Sequence, residues 1–184
     1  MISKIKTLSK ETRLYRKFHK LIAIPMVIFM LILGITGVLL TWKNELQLKP
    51  STEKSRFINK KLVSLNFIQN KATEICDSLK LSPEIDRIDY RPSKGIAKVR
   101  FKSHFTELQI DCASGKITSI KQRTDTIIEM IHDGSIIDFI FKSESKNFKL
   151  VYATTTSLAL IFLAFSGFWL WLKPKKIKKL KKST

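Results

Sequence analysis

Three histidines, two cysteines and fifteen acidic side chains are few for a chain of 184 residues, and each scarcity excludes a class of chemistry. The histidines sit on separate segments with no recognisable nucleophile motif beside them, so no hydrolytic constellation forms. There is no Cys-x-x-Cys-His for covalent haem attachment, no paired-Cys metal motif and no Gly-x-Gly-x-x-Gly opening a βαβ unit. Any flavin or nicotinamide donor would therefore be a separate protein.

What is abundant is positive charge and uninterrupted apolar sequence. The formal charge is +19, of which the two ends, residues 1–20 and 173–184, carry +13. That placement argues against nucleic acid, which needs basic residues gathered on a folded surface. Residues 21–42 and 150–172 contain no charged side chain, and as helices of ~33 Å each is long enough to cross a ~30 Å hydrocarbon core. We expect transmembrane helices at 21–42 and 150–172, the first an uncleaved anchor because its apolar run exceeds that of a signal peptide. Basic flanks stay cytoplasmic, so both basic tails face the cytosol, where anionic membrane lipids are sufficient partners.

Residues 43–123 then form an extracytoplasmic connector and a small α+β domain. Ile68, Ala72, Ile75, Cys76 and Leu79 follow helical spacing. Alternation through Ile88 and Tyr90, then Ala97, Val99 and Phe101, then Thr106, Leu108 and Ile110, then "ITSI" predicts three or four antiparallel strands. Cys76 and Cys112 fit a disulfide and a pair of buried thiols equally well. Residues 124–149 predict an amphipathic segment at the membrane surface, broken at Gly134.

At roughly 100° per residue, His19, Ala23, Met30, Gly34, Gly37 and Thr41 share one stripe of the first helix. Ala153, Ser157, Ala164 and Gly167 share a face of the second. Such stripes suit helix packing and the close approach of a flat macrocycle alike. His19 reads either as a solvated interfacial residue or as a ligand. His132 faces the apolar side of its helix, where an unpaired imidazole is costly. His104, in "KSHF", reads as an exposed hairpin residue.

Three stretches carry a family resemblance. "RKFHKLIAIPMVIFMLILGITGVLLTWKNEL", "ELQIDCASGKITSI" and "IHDGSIIDFIF" followed by "SGFWLWLKP" resemble, in this order, the first helix, the hairpin and the closing helix of the PepSY domain with its associated transmembrane helices. Asp133 and Ser166 stand where that group often has Thr. Larger relatives with four or more such helices resemble inner-membrane ferric-siderophore reductases that carry haem b, and this chain looks like a short two-helix version. The resemblance implies an electron carrier of the bacterial inner membrane, delivering to an extracytoplasmic acceptor such as ferric iron. It implies haem b ligated by His19 and His132, and Thr36 and Gly37 are expected to line the cofactor.

Two helices cannot surround a macrocycle and each face of the chain offers one histidine, so a homodimer forming a four-helix bundle is expected, served by a separate cytoplasmic electron donor. The alternative is a haem-free, membrane-anchored PepSY module that binds a peptide or protein partner, for peptidase regulation or as an accessory subunit.

Overall fold

A computed structural model describes residues 2–55, 62–143 and 145–182. Residues 56–61 of the expected connector lie outside the described residues. The chain divides into two compact units, Met1–Gly37 with Met130–Thr184, and Val38–Glu129.

The first unit is built on two long helices, α1 (Ile2–Thr41) and α5 (Asn147–Lys182). Both are long and apolar enough to cross a membrane. Each runs beyond its apolar stretch into the basic tail, because Lys, Arg and Leu are good helix formers and nothing in either tail stops the helix. Pro25 lies inside α1 and Pro174 inside α5.

Low numbers on α1 meet high numbers on α5. Tyr15 lies against Trp169 with ring centroids 5.3 Å apart, and Phe29 meets Tyr152 edge-on at 5.8 Å. The helices are therefore antiparallel. Much of each outer surface is apolar and open, including Ile24, Ile28 and Leu31 on α1 and Leu158, Ile161 and Phe165 on α5.

Before α5, α3 (Thr124–Asp133) and α4 (Ser135–Ile140) are separated by Gly134, as the sequence suggests. Gly134 has φ +80°, and a Cβ there would lie 2.7 Å from the Tyr152 ring. Only glycine takes that backbone conformation without strain and leaves the ring its place. Asp138 caps the start of α5, its carboxylate accepting the backbone N–H groups of Phe148 (3.2 Å) and Lys149 (2.9 Å). Such a charge at a helix N-terminus satisfies two amides that have no intrahelical acceptor.

In the second unit, α2 (Leu65–Ser78) begins at Ser64, whose hydroxyl accepts from the Phe67 N–H. That cap is worth about 1 kcal/mol. Four antiparallel strands follow in the order β1 (Ile85–Arg91), β2 (Ile96–Phe101), β3 (Thr106–Asp111) and β4 (Ile117–Gln122). Pairing Val99 with Leu108 and Ala97 with Ile110 turns these side chains to one face. There they bury Ile68, Ala72 and Cys76 of α2.

Cys76 and Cys112 are both buried free thiols in this core. Burial first, and then the neighbouring Asp111 carboxylate, push the Cys112 thiol up to about 11. Cys76 is raised by burial and by Asp77.

The opposite face of the sheet is polar and nonetheless buried. Lys98, Glu107, Gln109 and Asp125 are each at most 1% exposed. The connector covers this face, with Ser51 O accepting from Gln109 Nε2 at 2.7 Å and Gln109 Oε1 accepting from Glu53 N–H at 2.9 Å. Glu107 accepts from Lys98 (3.1 Å), Arg123 (3.0 Å) and Gln109 (3.0 Å), and Arg123 also binds Asp125. Charges so enclosed are tolerated only when paired and hydrogen-bonded.

Candidate functional site

The first unit holds two histidine sites, one near each end of the apolar part of α1. Each joins an imidazole from one segment to a hydroxyl on the other. His19 of α1 meets Ser166 of α5, with 2.7 Å between Nδ1 and Oγ. His132 of α3 meets Thr36 of α1, with 2.8 Å between Nδ1 and Oγ1. Seventeen residues of helix separate His19 from Thr36, which places the sites ~25 Å apart along α1.

The hydroxyls assign the tautomers. A hydroxyl has a single hydrogen. Thr36 gives its hydrogen to Ile32 O at 2.6 Å, the carbonyl one turn back, and Ser166 gives its own to Phe162 O at 2.7 Å. Each oxygen is left to accept from the imidazole, so Nδ1 carries the proton in both rings. In the neutral ring Nε2 then presents a lone pair, and among the described residues it meets no hydrogen-bond partner in either ring. An imidazole oriented through one nitrogen and open at the other is the usual form of a metal-ligating histidine.

A glycine follows each hydroxyl and admits the ring. A Cβ on Gly37 would stand 3.8 Å from His132 Cε1, and one on Gly167 would stand 3.5 Å from His19 Cε1. These are ordinary van der Waals distances, so an alanine fits and a longer side chain displaces the imidazole. The turn after His132 is held firmly. Asp133 accepts from the Ser135 N–H (2.9 Å), from the Ser135 hydroxyl (2.6 Å) and from Lys149. Burial alone would raise the Asp133 carboxyl, but the hydrogen bonds from Lys149 and Ser135 outweigh it and hold it below its ordinary value.

Two buried polar atoms of α5 meet no hydrogen-bond partner among the described residues: Tyr152 Oη, whose ring lies on Gly134, and Trp169 Nε1, one turn beyond Ser166. Among the described residues no three His, Cys, Asp or Glu side chains converge as a metal cage. Each site therefore offers one imidazole nitrogen from this chain.

The structure brings Thr36, Gly37 and His132 together and sets His19 at the other end. Three expectations need correction. The face of α5 that meets α1 passes through Tyr152, Thr156 and Ser166, whereas Ala153, Ser157 and Ala164 are exposed. Thr156 and Ser166 bend their hydroxyls back to the helix carbonyls of Tyr152 and Phe162 and so pack as small residues on an apolar face. On α1, Gly34 has open space where a Cβ would be.

His104 is half-buried, not exposed. It stacks on Phe101 at 4.6 Å, donates from Nε2 to Ser82 O at 3.0 Å and accepts the Thr106 N–H at Nδ1. Ser166 stood out in the sequence only as a departure from the resembling group, and its pairing with His19 was not expected. The signal for it is a repeat: each long helix carries one hydroxyl–glycine pair, Thr36-Gly37 and Ser166-Gly167. No protein-family model and no curated protein matches the chain.

Proposed function

We propose that this protein is a membrane-spanning haem b protein that carries electrons across the bilayer to an extracytoplasmic acceptor, ferric iron or a ferric siderophore. One observation carries the reading. Both imidazoles are tied through Nδ1 to a hydroxyl whose own hydrogen is already committed, which leaves Nε2 free to bind iron.

The donor set suits such a group. A porphyrin supplies four nitrogens and asks the protein for axial ligands alone, and neutral imidazole is a suitable one. Gly37 and Gly167 leave room beside the rings. Trp169 Nε1 and Tyr152 Oη are buried and meet no hydrogen-bond partner among the described residues. Bound haem would supply one-electron exchange, while the chain's own residues orient the imidazoles, fix their tautomers and exclude water.

With one histidine per site, holding iron between two imidazoles would require a second copy, so the working form in this reading is a homodimer in which paired His19 and paired His132 would each hold a haem. The membrane is the bacterial inner membrane, with both termini cytoplasmic and the central α+β domain outside. The electron donor is a separate cytoplasmic protein.

The reading is tested by the absorption spectrum of the full chain purified in detergent after expression with ample haem. A Soret band that moves on reduction with dithionite is expected. His19→Ala and His132→Ala should each remove about half of the bound haem, following the two-ligand requirement. Colourless protein refutes the reading and favours the haem-free module. For that module the specific observation is β4, an edge strand with Ile120 46% exposed, on which an extended peptide can pair.

A further inference from the structure

We infer that the polar face of the sheet carries a site for a small multivalent oxyanion, formed by Arg87 and Arg100. Strand register sets Arg87 opposite Arg100, Arg100 opposite Glu107, and Glu107 opposite Lys121. One row across four strands thus places three cations around a single carboxylate. Like charges directly opposite on antiparallel strands repel.

The carboxylate does not resolve that repulsion. Glu107 is already engaged by Lys98, Arg123 and Gln109 at 3.0–3.1 Å, and its approach to Arg100 Nε is 3.7 Å. That is too long for a hydrogen bond, and among the described residues the buried Nε of Arg100 meets no hydrogen-bond partner. The Arg100 side chain is 23% exposed, so a small solute can reach the outer part of its guanidinium, while Nε itself lies beneath the surface. Arg87 is open as well, at 64% exposure, with Asp86 on its Nε at 3.1 Å. The other nearby acids are committed elsewhere, Asp89 to Arg91 and Asp125 to Arg123.

Arg100 thus offers a guanidinium that Glu107 does not hydrogen-bond, with the guanidinium of Arg87 opposite it. The complementary ligand is an acceptor with at least two negative charges. Guanidinium groups bind carboxylate and phosphate oxygens through paired parallel N–H donors. Neighbouring strands are spaced ~4.8 Å apart, so two such forks grip one small anion between them. A polycarboxylate and a phosphate ester share this chemistry. The site lies in the α+β unit and does not depend on the redox reading of the histidines.

The test uses the full chain in detergent at low ionic strength, titrated calorimetrically with citrate and separately with inorganic phosphate. Saturable binding at one anion per chain is expected. Arg100→Gln and Arg87→Gln should each weaken it by about tenfold, the scale of a lost charge-assisted hydrogen bond. Arg100→Lys, which keeps the charge and loses the fork, should fall between. Lys71→Gln, on the exposed face of α2, removes one positive charge elsewhere and should leave affinity unchanged. Tighter citrate binding identifies a polycarboxylate site, and tighter phosphate binding a phosphate-ester site. Absence of saturable binding with both anions overturns the proposal. So does binding that Arg100→Gln, with an unchanged circular dichroism spectrum, leaves intact, which would place the anion on the lysine-rich tails.

Discussion

Replacing Thr36 with valine keeps the shape of the side chain and removes its hydroxyl, so it isolates what that hydroxyl does for His132. Thr36 is 7% exposed, and its oxygen lies 2.8 Å from His132 Nδ1. Without the acceptor, the Nδ1–H faces an apolar methyl. A hydrogen bond in this setting contributes about 1 to 1.5 kcal/mol net, and 1.4 kcal/mol is tenfold in an equilibrium constant. The ratio of the two neutral tautomers of His132 should therefore swing about tenfold toward Nε2–H.

Nitrogen-15 NMR of histidine-labelled protein reads this directly, at a pH where the rings are neutral and with no haem present. The molecule contains its own reference. His104 donates from Nε2 to Ser82 O and accepts at Nδ1 from the Thr106 amide, so it should show the opposite tautomer to His19 and His132 and stay unchanged in the variant. Native His132 observed as Nε2–H, or tautomer populations equal in native and Thr36→Val protein, would refute the reasoning and remove the main support for iron ligation.

Two further outcomes follow from the α+β unit. Glu107→Ala leaves Lys98 and Arg123 enclosed without their shared carboxylate, and should lower stability by about 3–5 kcal/mol, read as a fall in the urea midpoint of the central domain's circular dichroism signal. Asp111 is raised by burial, but hydrogen bonds from Ser55, Ser114 and Ala113 more than reverse this and hold its carboxyl below the ordinary value. A depressed folded value means that its stabilisation is complete above the unfolded value of about 3.9 and is lost as pH falls through the folded one. The urea midpoint should decline below about pH 4, and the decline should be shallower in Asp111→Asn. An equally steep decline in that variant would contradict this assignment.

Periodicity made much of this architecture legible. The alternation through Val99, Leu108 and Ile110 marked the core face of the sheet, and the helical spacing of Ile68, Ala72 and Cys76 marked the side of α2 that covers it. Gly134 marked the break between α3 and α4 because few other residues take its backbone conformation. The other face of the same sheet was opaque. Lys98, Glu107 and Gln109 alternate with apolar residues as solvent-facing side chains do. They are buried because the connector through Ser51 and Glu53 folds over them, a contact between segments more than fifty positions apart.

The histidines divide along the same line. Residue order was enough to show two long apolar helices, a basic tail on each, and His19 beside the first apolar stretch, because length, charge and local spacing are properties of the chain read alone. It could not show that Ser166 pairs with His19, or that Thr36 pairs with His132 across 96 positions. A tautomer is set by whatever stands opposite the ring. The rotation of α5 that brings Thr156 and Ser166 inward, and leaves Ala153 and Ser157 exposed, comes from packing two antiparallel helices against each other, which neither helix's own pattern encodes.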